Sequence, residues 1–359
     1  MQYKVMTPGP TQVRENVRLA RSLECTNPDI DLEFVEYYHD TCALISKLLH
    51  TKNETFIMGG EGILGLEAAV ASLTELGDRV LVIDNGIYGN GFADFVKMYG
   101  AEAVIYRADY DRAIDCKALK DYLDKDHDFK YATFVHCDTP SGMLNPVHVM
   151  GRMFADYGIM TIVDSVSAMF GEPLNIDEGC LDIVCGGSQK ALSAPPGLTT
   201  ITVSDRAKES ILSREKPIAS FYANIKVFFN YYQEKWFPYT MPISDIMGLR
   251  VALENIENDP DIYDRHERLA SYTRETLLSH GLKLYGKDGY ASTVTAFCLP
   301  EGMSDTLILE RLKRDYGIML TGSFGPFAHK LIRIGHMGEN ANETDVKETL
   351  SALLEVMGK

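Results

Sequence analysis

Lys190 stands where covalent chemistry with a carbonyl compound is easiest to picture. It follows the apolar run Asp182-Ile-Val-Cys-Gly-Gly-Ser-Gln-Lys190, and a Pro-Pro-Gly stop comes at 195–197. Small residues before a lysine and prolines after it predict a tight loop rather than a solvated helix face. An amine partly removed from water favours its neutral, nucleophilic form, which imine formation requires. A surface lysine in a turn is the competing reading, so the companions of Lys190 decide.

Asp164 closes the apolar run Met160-Thr-Ile-Val-Asp164. A carboxylate there can keep a ring nitrogen protonated, or simply cap the following turn. Tyr88, in Asp84-Asn-Gly-Ile-Tyr-Gly89, offers a ring to stack on a flat heterocycle, unless it is an ordinary core tyrosine. Val166 can close the opposite face. Thr139 and Ser141, in Asp138-Thr-Pro-Ser-Gly142, offer hydroxyls to a ring oxygen, and His136 reads as a packing residue. Gly60, Glu61 and Gly62 form a glycine-rich turn opening the helix-like Ile63–Leu76, where free N–H groups make an anion site. No Gly-Lys-Ser/Thr follows, so this is not a nucleotide-triphosphate loop. Arg333, in Leu331-Ile-Arg-Ile-Gly335, is expensive to bury without a carboxylate, whether a substrate's or the protein's own.

The elements that must position these residues alternate along the first two thirds of the chain. Strands are expected at Glu54–Met58, Arg79–Asp84, Ala103–Tyr106, Tyr131–Cys137, Met160–Asp164, Ile183–Gly186 and Thr199–Val203. Helices are expected between most of them, at Ile63–Leu76, Gly91–Met98, Val147–Tyr157 and Arg206–Arg214. Near-continuous apolar strands separated by helices predict an α/β fold with a mostly parallel sheet covered on both faces. Strand ends then form the ligand crevice. The pattern changes after Asp245 to helix, helix, strand, helix, strand, helix, a smaller α+β unit. The expected organisation is an arm at 1–14 containing Pro8-Gly9-Pro10, a large domain at 15–245 and a small domain at 246–359.

Hydrophobic residues at 45% and charged residues at 24% are ordinary for a globular protein, and the net charge of −16 argues against nucleic-acid binding. The start Met1-Gln2-Tyr3-Lys4-Val5 lacks the apolar core of a signal peptide, and no apolar run is long enough to span a membrane. The seven cysteines form no CxxC pair, so reduced thiols, a cytoplasmic location and no metal are expected.

In order and type these residues resemble the fold-type I pyridoxal-phosphate enzymes, specifically the class V aminotransferases of the alanine–glyoxylate and serine–pyruvate group. The resemblance covers nearly the whole chain and implies a seven-stranded-type sheet. It implies that Lys190 forms the imine with pyridoxal 5'-phosphate, Asp164 pairs with the pyridine nitrogen and Tyr88 stacks on the ring. It places Gln189 beside the cofactor, Thr139 near the ring hydroxyl and Arg333 on a substrate carboxylate. Thr240, in Phe237-Pro-Tyr-Thr-Met-Pro242, would reach the neighbouring subunit's site in a homodimer. The partners would be an amino donor and a small 2-oxo acid, pyruvate or glyoxylate.

Glu61 departs from that pattern. A full negative charge about 4 Å from a phosphate costs roughly 4 kcal/mol per unit charge at an effective dielectric near 20. No lysine or arginine stands in the turn to offset it. Together with the Asp-Thr-Pro-Ser-Gly and Arg-Ile-Gly-His-Met-Gly runs, Glu61 resembles the pyridoxamine–pyruvate aminotransferases. In those, unphosphorylated pyridoxal or pyridoxamine is a substrate rather than a resident cofactor. They carry a further arginine where this chain has Ser323-Phe-Gly-Pro-Phe327. The alternative for Glu61 is a solvated first-turn residue favoured by the helix dipole. A lyase of the same fold would need an accessible thiol, and Cys298 lies in an apolar strand pattern. A non-catalytic ligand-binding protein is the alternative outside catalysis. A nicotinamide enzyme is disfavoured, since no GxGxxG follows the first strand.

Overall fold

A computed structural model describes residues 3–359; Met1 and Gln2, the first of the expected arm, lie outside the described residues. The strands of the first half are β1 (Lys4–Val5), β2 (Glu54–Gly59), β3 (Arg79–Asp84), β4 (Glu102–Arg107), β5 (Tyr131–Val135), β6 (Cys137–Asp138) and β7 (Met143–Leu144). They are followed by β8 (Met160–Asp164), β9 (Ile183–Gly187), β10 (Leu198–Val203), β11 (Val294–Cys298), β12 (Ile318–Met319), β13 (Thr321–Gly322) and β14 (Leu331–Gly335). The helices between them begin with α1 (Glu15–Ala20), α2 (Leu32–Leu48), α3 (Gly62–Leu73), α4 (Ile87–Met98), α5 (Cys116–Leu123) and α6 (Val147–Asp156). The series continues with α7 (Asp205–Leu212), α8 (Tyr231–Glu234), α9 (Ile243–Glu257), α10 (Ile262–Ser279), α11 (Asp305–Tyr316) and α12 (Glu343–Met357).

A seven-stranded sheet in the order β2-β10-β9-β8-β5-β3-β4 carries the site. Its strands are parallel except β10, which runs antiparallel to both β2 and β9. Every residue of β5, β8 and β9 is buried, as expected when helices cover both faces. The edge strand β4 begins and ends on exposed charges, Glu102 and Arg107. The parallel strands all finish on one side, so the residues after Gly59, Asp84, Val135, Asp164 and Gly187 converge there.

Side-chain caps fix where several helices begin. The Asp31 carboxylate accepts from the backbone of Glu33 and Phe34 to start α2, and Ser204, Ser304 and Asn342 cap α7, α11 and α12. Gly317 and Gly358 end α11 and α12 in the left-handed conformation. A second core forms where the antiparallel β11-β14-β13 sheet meets the later helices, with Leu277, Phe297, Leu312, Ile332, Ile334 and Leu353 buried together.

The N-terminal arm is built into this second core. β1 pairs in parallel with β12, and Met6 is fully buried. Asn340, also fully buried, donates to the carbonyls of Thr7 and Gly335 and accepts from the Gln12 N–H at 2.9 Å. The arm reaches the crevice as Pro8, Gly9 and Pro10.

Two sequence expectations change in detail. The expected strand Tyr131–Cys137 divides, because the Asn145 side chain donates to the Val135 carbonyl and ends β5. The chain then folds back as the short β6–β7 pair around Pro140 and Gly142, whose φ of 75° suits glycine. The helix expected from Gly91 begins at Ile87, which places Tyr88 in its first turn. Among the described residues no helix is long and apolar enough to cross a membrane.

Replacing Asn340 by Ala strands two backbone carbonyls and one N–H in a buried position. The change should cost about 2–3 kcal/mol in chemical denaturation and expose the arm to protease cleavage. A shift under about 0.5 kcal/mol with an uncut arm would mean that other contacts hold it.

Candidate active site

A cavity of about 330 Å³ opens at the converging strand ends, lined by Gly9, Pro10, Glu61, Tyr88, Thr139, Asp164, Val166, Ser167, Gln189 and Lys190 among others. Lys190 follows β9 in a loop that the arm holds: the Thr11 hydroxyl donates to the Lys190 carbonyl, and the Thr11 N–H donates to that of Gln189. The Lys190 ammonium donates to the Pro8 carbonyl at 2.6 Å. Gly9 has a φ of +92°, and a Cβ there would fall 2.4 Å from the Lys190 Cδ. Only glycine allows the arm so close. Burial, reinforced by the Arg333 charge, brings the Lys190 amine down to about 8.

Asp164 ends β8 on the cavity wall. One carboxylate oxygen accepts from the Val166 N–H at 2.9 Å, the cap-like bond the sequence allowed, and the carboxyl still faces the cavity. Burial pushes it up to about 7, with Asp138 and Glu61 adding to the rise and Lys190 opposing it. An amine and an acid whose proton affinities are drawn together line one cavity. Acid–base chemistry at neutral pH favours that arrangement.

Val166 projects between the glycine turn and this wall. A Cβ on Gly62 would come within 2.6 Å of its methyl group, so Gly62 makes room rather than contact. Gly60, with φ +154°, donates from its backbone to the Gly197 carbonyl. Glu61 itself is the N-cap of α3: one carboxylate oxygen accepts from the Ile63 N–H at 3.1 Å and the other from the Gln189 amide at 3.0 Å. One of the first-turn donors that an anion would use, the Ile63 N–H, is therefore already taken by a side-chain carboxylate.

Arg333, on β14 in the second core, is buried at the same crevice. Its Nε and Nη2 donate to the Gly322 carbonyl at 2.9 and 2.8 Å, and its Nη1 donates to the Thr139 carbonyl at 3.3 Å. Among the described residues it forms no direct ion pair within 4.0 Å, and the carboxylate whose charge it feels is the buried Asp138. The Phe324 ring lies 5.6 Å from its guanidinium and meets Tyr88 edge-on at 6.2 Å.

The structure thus brings Lys190, Asp164, Tyr88, Val166, Thr139, Gln189 and Glu61 to one cavity, with Gly60 and Gly62 shaping its edge and Arg333 beside it. Thr240 lies elsewhere, exposed and bonded to the Asp29 carboxylate at 2.8 Å. One expectation is corrected. The Ser141 hydroxyl is fully buried and donates to Asp138 at 2.7 Å, so it has no hydrogen for a ring oxygen. Asp138 and Ser167 were not singled out from the sequence; both are polar residues at or just past the end of a buried strand, and that placement was the available signal. His136 is buried against Ser165, and burial holds it neutral, down to about 3. Cys298 lies outside the cavity, where burial raises its thiol further from reactivity.

The cavity fits a small flat heterocycle on three counts. Its volume suits a bicyclic-sized or smaller molecule. The Gln189 Oε1 is buried without a hydrogen-bond partner, as expected of a group awaiting a polar ligand. The donor set, an amine with lowered proton affinity in one cavity with a carboxyl of raised affinity, matches a ring bearing an aldehyde and a basic nitrogen.

A family model described as aminotransferase class-V matches residues 24–337. Pyridoxamine–pyruvate transaminase of Mesorhizobium japonicum is 34% identical over 90% of this chain and 84% of its own length. Alanine–glyoxylate aminotransferase of Callithrix jacchus is 31% identical over 98% of this chain and 87% of its own. Among solved structures, a ureidoglycine–glyoxylate aminotransferase from Bacillus subtilis superposes with a TM-score of 0.96 at 27% identity, covering 99% and 93% of the two chains.

The depressed Lys190 amine has a direct consequence. Covalent capture of an aldehyde, read by borohydride trapping and mass spectrometry, should rise with pH through about 8 rather than near the ordinary lysine value of 10.5. Replacing Lys190 by Ala should remove the trapped adduct. Trapping at another lysine would show that the wrong amine was chosen.

Proposed function

This chain belongs to the class V aminotransferases, and we propose that it passes an amino group from a small donor to a short 2-oxo acid, pyruvate or glyoxylate. The observation that carries the proposal is Lys190 and Asp164 lining one small cavity with the buried cation of Arg333 beside it. A pyridoxal ring, when bound, supplies an aldehyde carbon that captures amines and a pyridine that draws off electrons. Lys190 would hold that carbon, then, once displaced by the donor, carry the proton between donor carbon and ring carbon. Asp164 would keep the proton on the ring nitrogen. Tyr88 and Val166 would flank the ring, and Thr139 and Gln189 would meet its polar substituents. Arg333 has guanidinium hydrogens beyond those given to Gly322 and Thr139, and would use them for a substrate carboxylate. Pro10, Ile63 and Leu66 line the same cavity and reduce the water in it.

A homodimer is part of the proposal. Phe221 and Tyr222, each more than half exposed, pack against Tyr239 next to Thr240, an apolar surface of the kind that a second copy covers. Thr240 would then serve the neighbouring copy's site rather than its own.

Glu61 favours a second reading on the ring's substituent. Its carboxylate already accepts from the α3 start and from Gln189, where the resemblance expects a phosphate. In this reading the ligand is unphosphorylated pyridoxal or pyridoxamine, with its hydroxymethyl group donating to Glu61. The relative named pyridoxamine–pyruvate transaminase supports it.

Visible spectra of the purified protein, titrated separately with pyridoxal and with its phosphate ester and then with alanine and pyruvate, test both readings. Pyridoxal should build the stronger band, alanine should bleach it and pyruvate should restore it. Glu61→Ser should tighten the phosphate ester by on the order of a hundred- to thousandfold, as removing one like charge requires. Phosphate ester that copurifies and survives dialysis would overturn the second reading. Failure of both ligands to build a band would overturn the first.

A further inference from the structure

The start of α4, which carries Tyr88, has no cap of its own. Gly86 occupies the N-cap position and supplies no side chain, and no acidic residue lies in the first turn. A carboxylate from another element lies there instead. The buried Asp138, on β6, accepts from the Tyr88 N–H at 3.1 Å. Its approach to the helix is close: a Cβ on Gly86 would fall 2.4 Å from the Asp138 carboxyl carbon. The second carboxylate oxygen accepts from the Ser141 hydroxyl at 2.7 Å, and the Asp138 carbonyl accepts from the Gly142 N–H at 2.8 Å, so the turn that holds the acid is itself closed.

We propose that Asp138 is a positioning residue: its carboxylate replaces the missing cap of α4 and so fixes the Tyr88 ring against the bound pyridoxal ring. The inference rests on the functional reading above and adds a residue to it. Three observations carry it. The acid touches the amide of Tyr88 itself, not a remote turn of the helix. It is 1% exposed, so its bonds face no competition from water. It lies at the positive end of a twelve-residue helix, where a carboxylate stabilises free N–H groups. Burial raises the carboxyl to about 6, which leaves it ionised at neutral pH. The same turn presents the Thr139 carbonyl to Arg333, so the ring-facing and carboxylate-facing sides of the site share one anchor.

Asp138 has no direct route to the reacting atoms, because Tyr88 and Ser141 occupy its oxygens. Its hydrogen-bonded influence therefore passes through Tyr88, while its charge also reaches Asp164 and Arg333, and Asp138→Asn, which removes the charge and keeps the acceptor, separates the two. In the unliganded chain, Asp138→Ala should raise amide hydrogen exchange at residues 87–90 at least tenfold. Asp138→Asn, which keeps an acceptor for the Tyr88 N–H, should restore most of the protection. In pyridoxal titrations Asp138→Ala should weaken binding about tenfold. Measured from Asp138→Asn, which has already lost the charge, the further step to Ala in a Tyr88→Ala background should weaken it less than twofold, since the ring that the acceptor holds is gone. The Asn variant keeps the test informative if the Ala variant folds poorly. Unchanged exchange at the helix start, or losses that multiply across the cycle, would overturn the anchor. Absence of pyridoxal binding by the unsubstituted chain would instead overturn the functional reading, and the exchange result would still judge the anchor alone.

Discussion

Ionisable groups leave water at a cost, and this molecule removes several of them around one small space. Lys190, Asp164, Asp138 and Arg333 all lie at or beside the same cavity, each with its proton affinity displaced by burial. Ordinary cores avoid that arrangement or resolve it by direct ion pairs. Here the charged groups mostly lean on backbone groups instead: Pro8 for the lysine, Val166 for Asp164, Gly322 and Thr139 for the arginine. The surrounding fold supplies those backbone groups at fixed positions. Such groups remain available to a ligand, whereas mutually paired ones would not be.

Much of this was legible from the sequence because buried parallel strands advertise themselves. The runs Arg79–Asp84 and Met160–Asp164 coincide with β3 and β8 residue for residue, since each has an apolar centre and stops at an acid. Gly186 and Gly187 at the end of β9 likewise marked the turn into Lys190. The helix Leu32–Leu48 was not anticipated: its buried face mixes Tyr38, Thr41 and Cys42 with aliphatics, which dilutes the period that identifies amphipathic helices. The two-residue strands β6, β7, β12 and β13 carry too few residues to show any period at all.

Within the site, side-chain type was readable but hydrogen-bond allocation was not. Two hydroxyls in Asp138-Thr-Pro-Ser-Gly142 looked equivalent in sequence, yet Thr139 lines the cavity and Ser141 turns inward to Asp138. The Ser141 and Gly142 N–H groups both donate to the Asp138 carbonyl, and this closed turn brings the Ser141 hydroxyl onto the Asp138 carboxylate. Glu61 shows the same limit. The sequence offered a carboxylate against a phosphate or a solvated cap, and the geometry has it capping α3 while also holding Gln189.

The bond from Lys190 to the Pro8 carbonyl joins regions with separate cores. Pro8 belongs to a segment stitched to the C-terminal third through β1, Met6 and Asn340, while Lys190 springs from the central sheet. The amine at rest is therefore moored to a different part of the molecule from the one that bears it. Engaging a carbonyl carbon means casting off that mooring, so the readiness of one nitrogen depends on how firmly two independently packed regions are seated together.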